Sequence, residues 1–173
     1  AALARQLADL GARVVKVEEP GAGDPLRSVP PQVGGVGVAF AALLAGVESV
    51  ALDLRDGDGA ERLRLLAARA DVLVESFRPG TLEGWGIGLD DLAAATPRLV
   101  TCSLPAWPAD GPLAQRVAHD PNLSAETGVL DLLGGGVPPV QLADVGAGAL
   151  AATAVVAALL RRARTGRGGR IEQ

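Results

Sequence analysis

Residues 60–80, Ala-Glu-Arg-Leu-Arg-Leu-Leu-Ala-Ala-Arg-Ala-Asp-Val-Leu-Val-Glu-Ser-Phe-Arg-Pro-Gly, decide the fold. Apolar side chains recur at helical spacing through residues 60–70, which predicts an amphipathic helix with Leu63, Leu66 and Ala67 on its inward face. Residues 71–75 then predict a short buried strand, and residues 76–80 predict a loop. A helix that leads directly into a buried strand is the repeating unit of an α/β domain.

The same alternation of helix and strand continues on both sides of this stretch. Further strands are predicted at residues 13–18, 49–54, 98–104 and 168–173. Residues 19–37 form a loop rich in Gly and Pro, and loops of that length are often functional. We therefore predict an α/β fold with a mainly parallel sheet, in a single domain of residues 1–173. Helices are predicted at residues 2–10, 38–45, 79–83, 90–95, 119–130 and 144–164.

Length and composition exclude several classes of protein. The chain has 173 residues, of which 49% are hydrophobic and 21% charged, which is typical of a globular domain. A net charge of −4 gives no basic face, so we expect no nucleic acid partner.

The single cysteine, Cys102, excludes an internal disulfide and fits the cytoplasm, and the absence of a Cys/His cluster predicts no metal site. The longest uncharged run, residues 145–160, is shorter than a membrane span, so we predict a buried helix and no membrane partner.

The residues with the clearest chemical potential are His119, Asp120 and Asp144. His119 is the only histidine, and an imidazole beside a carboxylate can move a proton to or from a substrate. The open alternative is a histidine and an acid that merely begin a helix. Asp144 precedes the long apolar helix, where an aspartate serves as an N-cap. The same position can also hold a carboxylate toward a substrate, and Gly146 and Gly148 would leave room for a ligand.

Two arginines, Arg55 and Arg78, each follow a predicted strand. Ligands of α/β proteins bind at the carboxyl ends of parallel strands, and a guanidinium suits phosphate, so both are candidate phosphate contacts. An ordinary surface role is the alternative for both. The common phosphate-binding fingerprints, Gly-x-Gly-x-x-Gly after the first strand and a Walker-type loop, do not occur in the sequence.

A wider pattern is carried by residues 7–18 (Leu-Ala-Asp-Leu-Gly-Ala-Arg-Val-Val-Lys-Val-Glu), 49–54 (Ser-Val-Ala-Leu-Asp-Leu), 70–80, 97–100 (Pro-Arg-Leu-Val), 119–122 (His-Asp-Pro-Asn), 141–144 (Gln-Leu-Ala-Asp) and 164–168 (Arg-Thr-Gly-Arg-Gly). In this order the segments resemble CoA-transferase family III, the CaiB/BaiF type, which also includes the α-methylacyl-CoA racemases. The resemblance spans nearly the whole chain. It implies a Rossmann-like domain that binds coenzyme A (CoA), incomplete at both ends relative to the family. It also implies a homodimer or a complementing subunit.

The resemblance assigns roles to particular residues. In a transferase, Asp144 would attack the acyl-CoA thioester and then carry CoA, which an acceptor carboxylate collects. In a racemase, His119 and Asp144 would flank the α-carbon as an acid/base pair, with Asp120 beside them. A truncated relative that binds CoA weakly without turnover is the third possibility. The nucleotide end of CoA is expected against the backbone at Leu52 and the side chains of Arg55, Ser76, Phe77 and Arg78.

Two of the departures from the family pattern concern arginines. Glu19 and Gly84 stand where members of the family often carry arginine. Each replacement removes a potential contact to a phosphate. We therefore expect these two positions to weaken the binding of CoA.

Overall fold

The computed structural model describes residues 1–173 and contains eight α-helices and seven β-strands. Every predicted strand is present, and so is every predicted helix except the one at residues 119–130, which is divided into two. In chain order the elements are α1 (Ala2–Asp9), β1 (Val15–Glu18), β2 (Gln32–Val33), β3 (Val36–Gly37), α2 (Val38–Leu43), β4 (Glu48–Ala51), α3 (Gly57–Ala67), β5 (Val72–Glu75), α4 (Thr81–Gly84), α5 (Leu89–Ala95), β6 (Val100–Ser103), α6 (Asp120–Glu126), α7 (Val129–Leu132), α8 (Leu142–Thr165) and β7 (Gly169–Glu172).

The parallel strands form two sheets. β1 pairs with β4, and β5, β6 and β7 lie in that order in a second sheet. All three pairings are parallel, with Val17 opposite Val50 in the first sheet and Cys102 between Val74 and Ile171 in the second. The prediction of an α/β fold with mainly parallel strands and flanking helices is confirmed, although the strands form two sheets and not one.

The predicted loop at residues 19–37 contains regular structure that the sequence pattern does not reveal. Pro25–Arg27 form a 3₁₀ turn, which Asp24 caps by accepting the backbone N–H of Leu26. β2 and β3 then pair as a short antiparallel hairpin. Gly37 is required there, because a Cβ atom would lie 2.1 Å from the carbonyl oxygen of Leu26. The loop is therefore folded onto itself.

Two apolar clusters join the sheets to the helices. The first surrounds α3, and Val17 of β1 and Leu73 of β5 both pack against it, so the two sheets share one core. The second lies between α1, α8 and β6 and contains Leu3, Cys102, Ala151, Ala152 and Val155. Cys102 is fully buried, as the sequence predicts for a small apolar side chain, and burial raises the pKa of its thiol to about 11.

The direction of α8 is set by an arginine near its end. Arg162 donates from Nη1 to the carbonyl oxygens of Asp71 and Arg98, at 3.2 and 3.0 Å, and from Nη2 to Asp71 Oδ1 at 2.6 Å. Asp71 and Arg98 precede β5 and β6, so the carboxyl end of α8 lies at the amino ends of these strands. The amino end of α8, which carries Asp144, therefore points toward their carboxyl ends, where ligands of α/β proteins bind.

Two predictions about helices are wrong in detail. Leu66 is predicted to face inward but is 40% exposed, because the buried stripe of α3 runs through Ala60, Leu63 and Ala67 and Leu66 lies off it. Residues 119–130 are not one helix. Gly128, with φ of +77°, separates α6 from α7, since a left-handed residue cannot continue a right-handed helix.

The prediction that the long apolar helix is buried holds for one face only. α8 packs on α1, β6 and β7, and its buried residues include Ala151 and Val155. Leu150 and Leu160 are 62% and 60% exposed. By length and composition α8 could cross a membrane, with a mean hydropathy of 1.9 over 18 residues, although core helices of soluble proteins reach the same values.

Candidate active site

The candidate catalytic residues meet where α6 approaches the amino end of α8. Asp120, the first residue of α6, is 2% exposed. Its Oδ2 accepts the backbone N–H of Asp144 at 3.0 Å, and its Oδ1 accepts the hydroxyl of Ser124 at 3.4 Å. A buried carboxylate thus satisfies one of the unpaired N–H groups in the first turn of α8. His119, Asp120 and Asp144 are brought together, as the sequence predicts.

The prediction that Asp144 caps α8 is wrong. The helix begins at Leu142, so Asp144 lies inside its first turn, and Gln141 occupies the cap position without a side-chain hydrogen bond. The side chain that supports this helix end belongs to Asp120, which is distant in the sequence. Because the carboxylate of Asp144 is not used as a cap, it is exposed and available to a substrate.

The surroundings of Asp144 raise the pKa of its carboxyl group. The largest cause is partial burial, which disfavours the charged form, and the second is the negative charge of Asp120. The positive charge of the N-terminal ammonium group acts in the opposite direction on the pKa of Asp144 and is the smaller effect. A carboxylate with a raised pKa is more basic, which strengthens it both as a nucleophile and as a general base.

His119 occupies the N-cap position of α6 and is exposed. Its backbone N–H donates to Oδ1 of Asn122 at 2.6 Å, and the Nδ2 of Asn122 donates to the carbonyl oxygen of Val117 at 3.2 Å. Asn122 therefore fixes the backbone at His119, and the imidazole faces solvent. The carboxylate of Asp120 bonds to α8 and to Ser124 and forms no hydrogen bond with the imidazole.

The two glycines of α8 have different functions. A Cβ atom on Gly148 would lie 2.7 Å from the Cβ of Ala2 and 3.0 Å from the backbone nitrogen of Leu3. Gly148 is therefore needed for close packing of α8 on α1, and the prediction that it leaves room for a ligand is wrong. A Cβ atom on Gly146 would meet nothing within 4 Å, so space remains beside the first turn of α8.

A cavity of about 300 Å³ lies at the carboxyl ends of β1 and β4. Three of the residues predicted to contact the nucleotide, Leu52, Arg55 and Phe77, line it together. Trp85 also lines it and packs edge-on against Phe77, with the ring centroids 5.2 Å apart. Trp85 and Phe77 together form an aromatic wall of this cavity.

Arg55 is paired with two carboxylates through its Nε and Nη2 atoms. Its Nε donates to Oδ1 of Asp53 at 2.8 Å, and its Nη2 donates to Oε1 of Glu19. These two hydrogen bonds raise the pKa of the guanidinium. Glu19, one of the departures from the family pattern, therefore pairs with the guanidinium that the sequence predicts to bind a phosphate.

The remaining predicted contacts lie apart from this cavity or on its edge. Arg78 and Phe77 line a second, smaller cavity of about 70 Å³ beside Pro79. Arg78 is exposed and forms no ion pair, unlike Arg55. Ser76 is exposed and lines neither cavity. The two cavities share Phe77 as a common wall, whereas His119, Asp120 and Asp144 line neither.

A family model described as CoA-transferase family III matches residues 2–173. The chain belongs to this family. It is 35% identical over 168 residues to succinyl-CoA:glutarate CoA-transferase of Homo sapiens, and the match covers 94% of this chain and 38% of that protein. It is 38% identical to the alpha-methylacyl-CoA racemase of Mus musculus, with 94% of this chain and 40% of that protein covered.

The fold agrees with this assignment. The crystal structure of a CaiB/BaiF family protein from Brucella suis superposes with a TM-score of 0.91 at 36% sequence identity. The superposition covers 98% of this chain and 47% of that chain. The chain thus spans about half the length of this solved structure and about two fifths of the curated relatives that it matches.

Proposed function

We propose that the protein is a CoA-transferase that moves CoA between an acyl-CoA and a carboxylic acid through an intermediate on Asp144. The observation that carries this proposal is the exposed carboxylate of Asp144, fixed in the first turn of α8 by the hydrogen bond from its backbone to Asp120. A positioned carboxylate of raised basicity is suited to nucleophilic attack on a thioester. The relatives that are CoA-transferases support the same reaction class.

In this reaction, a carboxylate oxygen of Asp144 attacks the thioester carbon and CoA leaves as thiolate, which gives an acyl–aspartyl anhydride. The thiolate then attacks the aspartyl carbonyl, so the original acid leaves and an aspartyl thioester of CoA remains. The acceptor carboxylate attacks this thioester and CoA leaves as thiolate, which gives a new acyl–aspartyl anhydride. The thiolate then attacks the acyl carbonyl of this anhydride, which gives the new acyl-CoA and free Asp144. Asp120 is a positioning residue in this scheme, because it holds the backbone of Asp144 and does not touch the substrate.

We also propose that the nucleotide end of CoA binds in the cavity lined by Leu52, Arg55 and Phe77. The cavity supplies one guanidinium and two aromatic side chains, which fit a phosphate and an adenine ring respectively. Arg78, with Ser76 before it, offers a second cation at the edge of the cavity. A cytoplasmic location, as expected for a protein with a single buried thiol, completes the proposal.

The test of Asp144 is chemical trapping. Incubation of the protein with acyl-CoA and hydroxylamine should convert Asp144 to a hydroxamate that mass spectrometry locates. Replacement of Asp144 by Asn should abolish trapping and lower transferase activity more than about a thousandfold, because the nucleophile is lost. The matched control is Asp131→Asn, which removes an exposed carboxylate from α7 and should leave both unchanged. Active protein without any adduct on Asp144 would reject the mechanism.

A second candidate function is racemisation of a 2-methylacyl-CoA. The observation that favours it is that exposed His119 directly precedes Asp120, which is hydrogen-bonded to the backbone of Asp144, since two groups on opposite faces of an α-carbon can remove and return its proton. The mouse racemase is as similar to this chain as the transferases are. Exchange of the α-proton of 2-methylacyl-CoA in heavy water, without transfer of CoA to an acid, would establish racemisation, whereas transfer without exchange would establish the transferase.

A further inference from the structure

The cavity proposed for the nucleotide has a negative lining. Carboxylates outnumber cations by two among its charged residues. The cations are Lys16 and Arg55, and the carboxylates are Glu18, Glu19, Asp24 and Asp53. A ligand that carries phosphates therefore meets repulsion in the cavity unless some of these carboxylates turn away.

Both cations of the cavity are already paired. Lys16 Nζ lies 2.7 Å from Oδ2 of Asp24. Arg55 donates to Asp53 from Nε, at 2.8 Å, and to Glu19 from Nη2. A phosphate must therefore displace a carboxylate before it can form the two parallel hydrogen bonds that a guanidinium offers to it.

Glu19 is the carboxylate that can leave with the least structural change. Asp53 also accepts the backbone N–H of Arg55 at 3.0 Å, and Asp24 accepts that of Leu26 at 2.8 Å, so both hold the chain in its turns. The side chain of Glu19 is 55% exposed, and its carboxylate bonds only to Arg55. An exposed ion pair of this kind is weak, so a phosphate can compete with it.

We propose that Glu19 sets the affinity of this site for phosphate-bearing ligands, because its carboxylate competes with a ligand phosphate for the guanidinium of Arg55. The proposal rests on the proposed function for the identity of the ligand, which is CoA. Loss of the charge at Glu19 frees one edge of Arg55 and removes the negative charge that remains in excess, since Arg27 already offsets Glu18. Glu19 thereby acts on the phosphorylated end of the ligand and not on its thioester.

The test uses Glu19→Gln and calorimetric titration of the protein with two ligands, CoA and pantetheine, which lacks the nucleotide and all phosphates. We expect Glu19→Gln to bind CoA about three- to tenfold more tightly than the wild type, as one charge near a phosphate predicts. The gain should shrink as salt is raised, since screening weakens the removed repulsion. The affinity for pantetheine should stay unchanged.

The matched control is Glu61→Gln. Glu61 is a carboxylate of similar exposure, 60%, paired with Arg64 at 2.9 Å on α3, and it does not line the cavity. If Glu19→Gln and Glu61→Gln both bind CoA like the wild type, the inference is wrong while the proposed function stands. An equal gain for pantetheine would also overturn it, because the change would then not depend on phosphate. If neither the wild type nor either variant binds CoA, both this inference and the proposed function are rejected.

Discussion

Glu18 is a buried carboxylate at the end of β1 that holds the folded loop of residues 19–37. It accepts hydrogen bonds from Nε and Nη2 of Arg27 at 2.7 and 2.8 Å, from the hydroxyl of Ser49 at 2.6 Å and from the backbone N–H of Asp24 at 2.7 Å. The bonds from Arg27 are the main reason that the pKa of Glu18 is lowered from 4.5 to about 2. One side chain thus joins β1, β4 and the loop that borders the cavity.

We expect Glu18→Gln to lower the free energy of unfolding by about 3 kcal/mol at pH 7, because it leaves a partly buried guanidinium without its anion. The pKa of Glu18 is lower in the folded than in the unfolded state, so its contribution is complete above about pH 5 and disappears as the pH falls toward 2. More than half of this contribution to the free energy of unfolding should be lost at pH 3.

Urea unfolding of Glu18→Gln and wild type at pH 7 and pH 3 measures this contribution. Glu48→Gln is the control, since the exposed pair of Glu48 with Arg13 is screened by water and should contribute little to the free energy of unfolding at either pH. A difference between wild type and Glu18→Gln that is the same at both pH values would contradict the assignment.

At the scale of elements, the contact between α1 and α8 depends on the missing side chain of Gly148. Alanine at this position gains helix propensity, but its Cβ would press on Ala2 and on the backbone of Leu3. We expect Gly148→Ala to lower the free energy of unfolding by about 1–2 kcal/mol, as overpacking does. Gly146→Ala is the control. Its Cβ would meet nothing within 4 Å, so the higher helix propensity of alanine should stabilise α8 by about 0.5–1 kcal/mol. Urea unfolding of both variants measures the difference in their free energies of unfolding. Equal stabilisation by the two substitutions would contradict this prediction, because it would show that α1 shifts at little cost to accommodate the added methyl group.

The elements themselves could be predicted from the sequence, because strand and helix periods are local properties. The ends and partners of elements could not. Asp144 looks like a cap until Asp120 is seen to support the same helix end from α6. Arg55 looks like a free cation until the fold brings Glu19 to it. Both errors concern pairs that are far apart in the chain, and a local pattern does not encode such pairs.

Roles within the candidate site were likewise predictable only in part. His119, Asp120 and Asp144 were correctly grouped, because their residue types suit one chemistry. The role of each residue depends on its burial, which could not be predicted from the sequence. Asp120 is buried and supports α8, whereas Asp144 is exposed. The prediction for Leu66 is wrong for a similar reason, since the buried stripe of α3 is narrower than the apolar pattern of its sequence.

At the scale of the whole molecule, α8 presents an uncovered apolar stripe. Leu142, Val145, Val156 and Leu160 recur at helical spacing and are between 38% and 60% exposed. The side of α8 that packs on α1 and β6 lies next to this stripe and carries Gly148, Ala151, Ala152 and Val155. An apolar stripe of this length is seldom left in contact with water, so it marks a surface that another protein surface covers.

We predict that a second copy of the protein covers this stripe, in the homodimer that the family resemblance implies. Leu160→Asp places a charge on the stripe and should shift the protein from dimer to monomer, because burying an unpaired carboxylate opposes association. Leu150→Asp is the matched control: Leu150 is equally exposed, at 62% against 60%, but lies on another side of α8. Sedimentation velocity should show a dimer for wild type and Leu150→Asp and a monomer for Leu160→Asp. A wild-type monomer, or equal dissociation of both variants, would mean that this stripe does not join two copies.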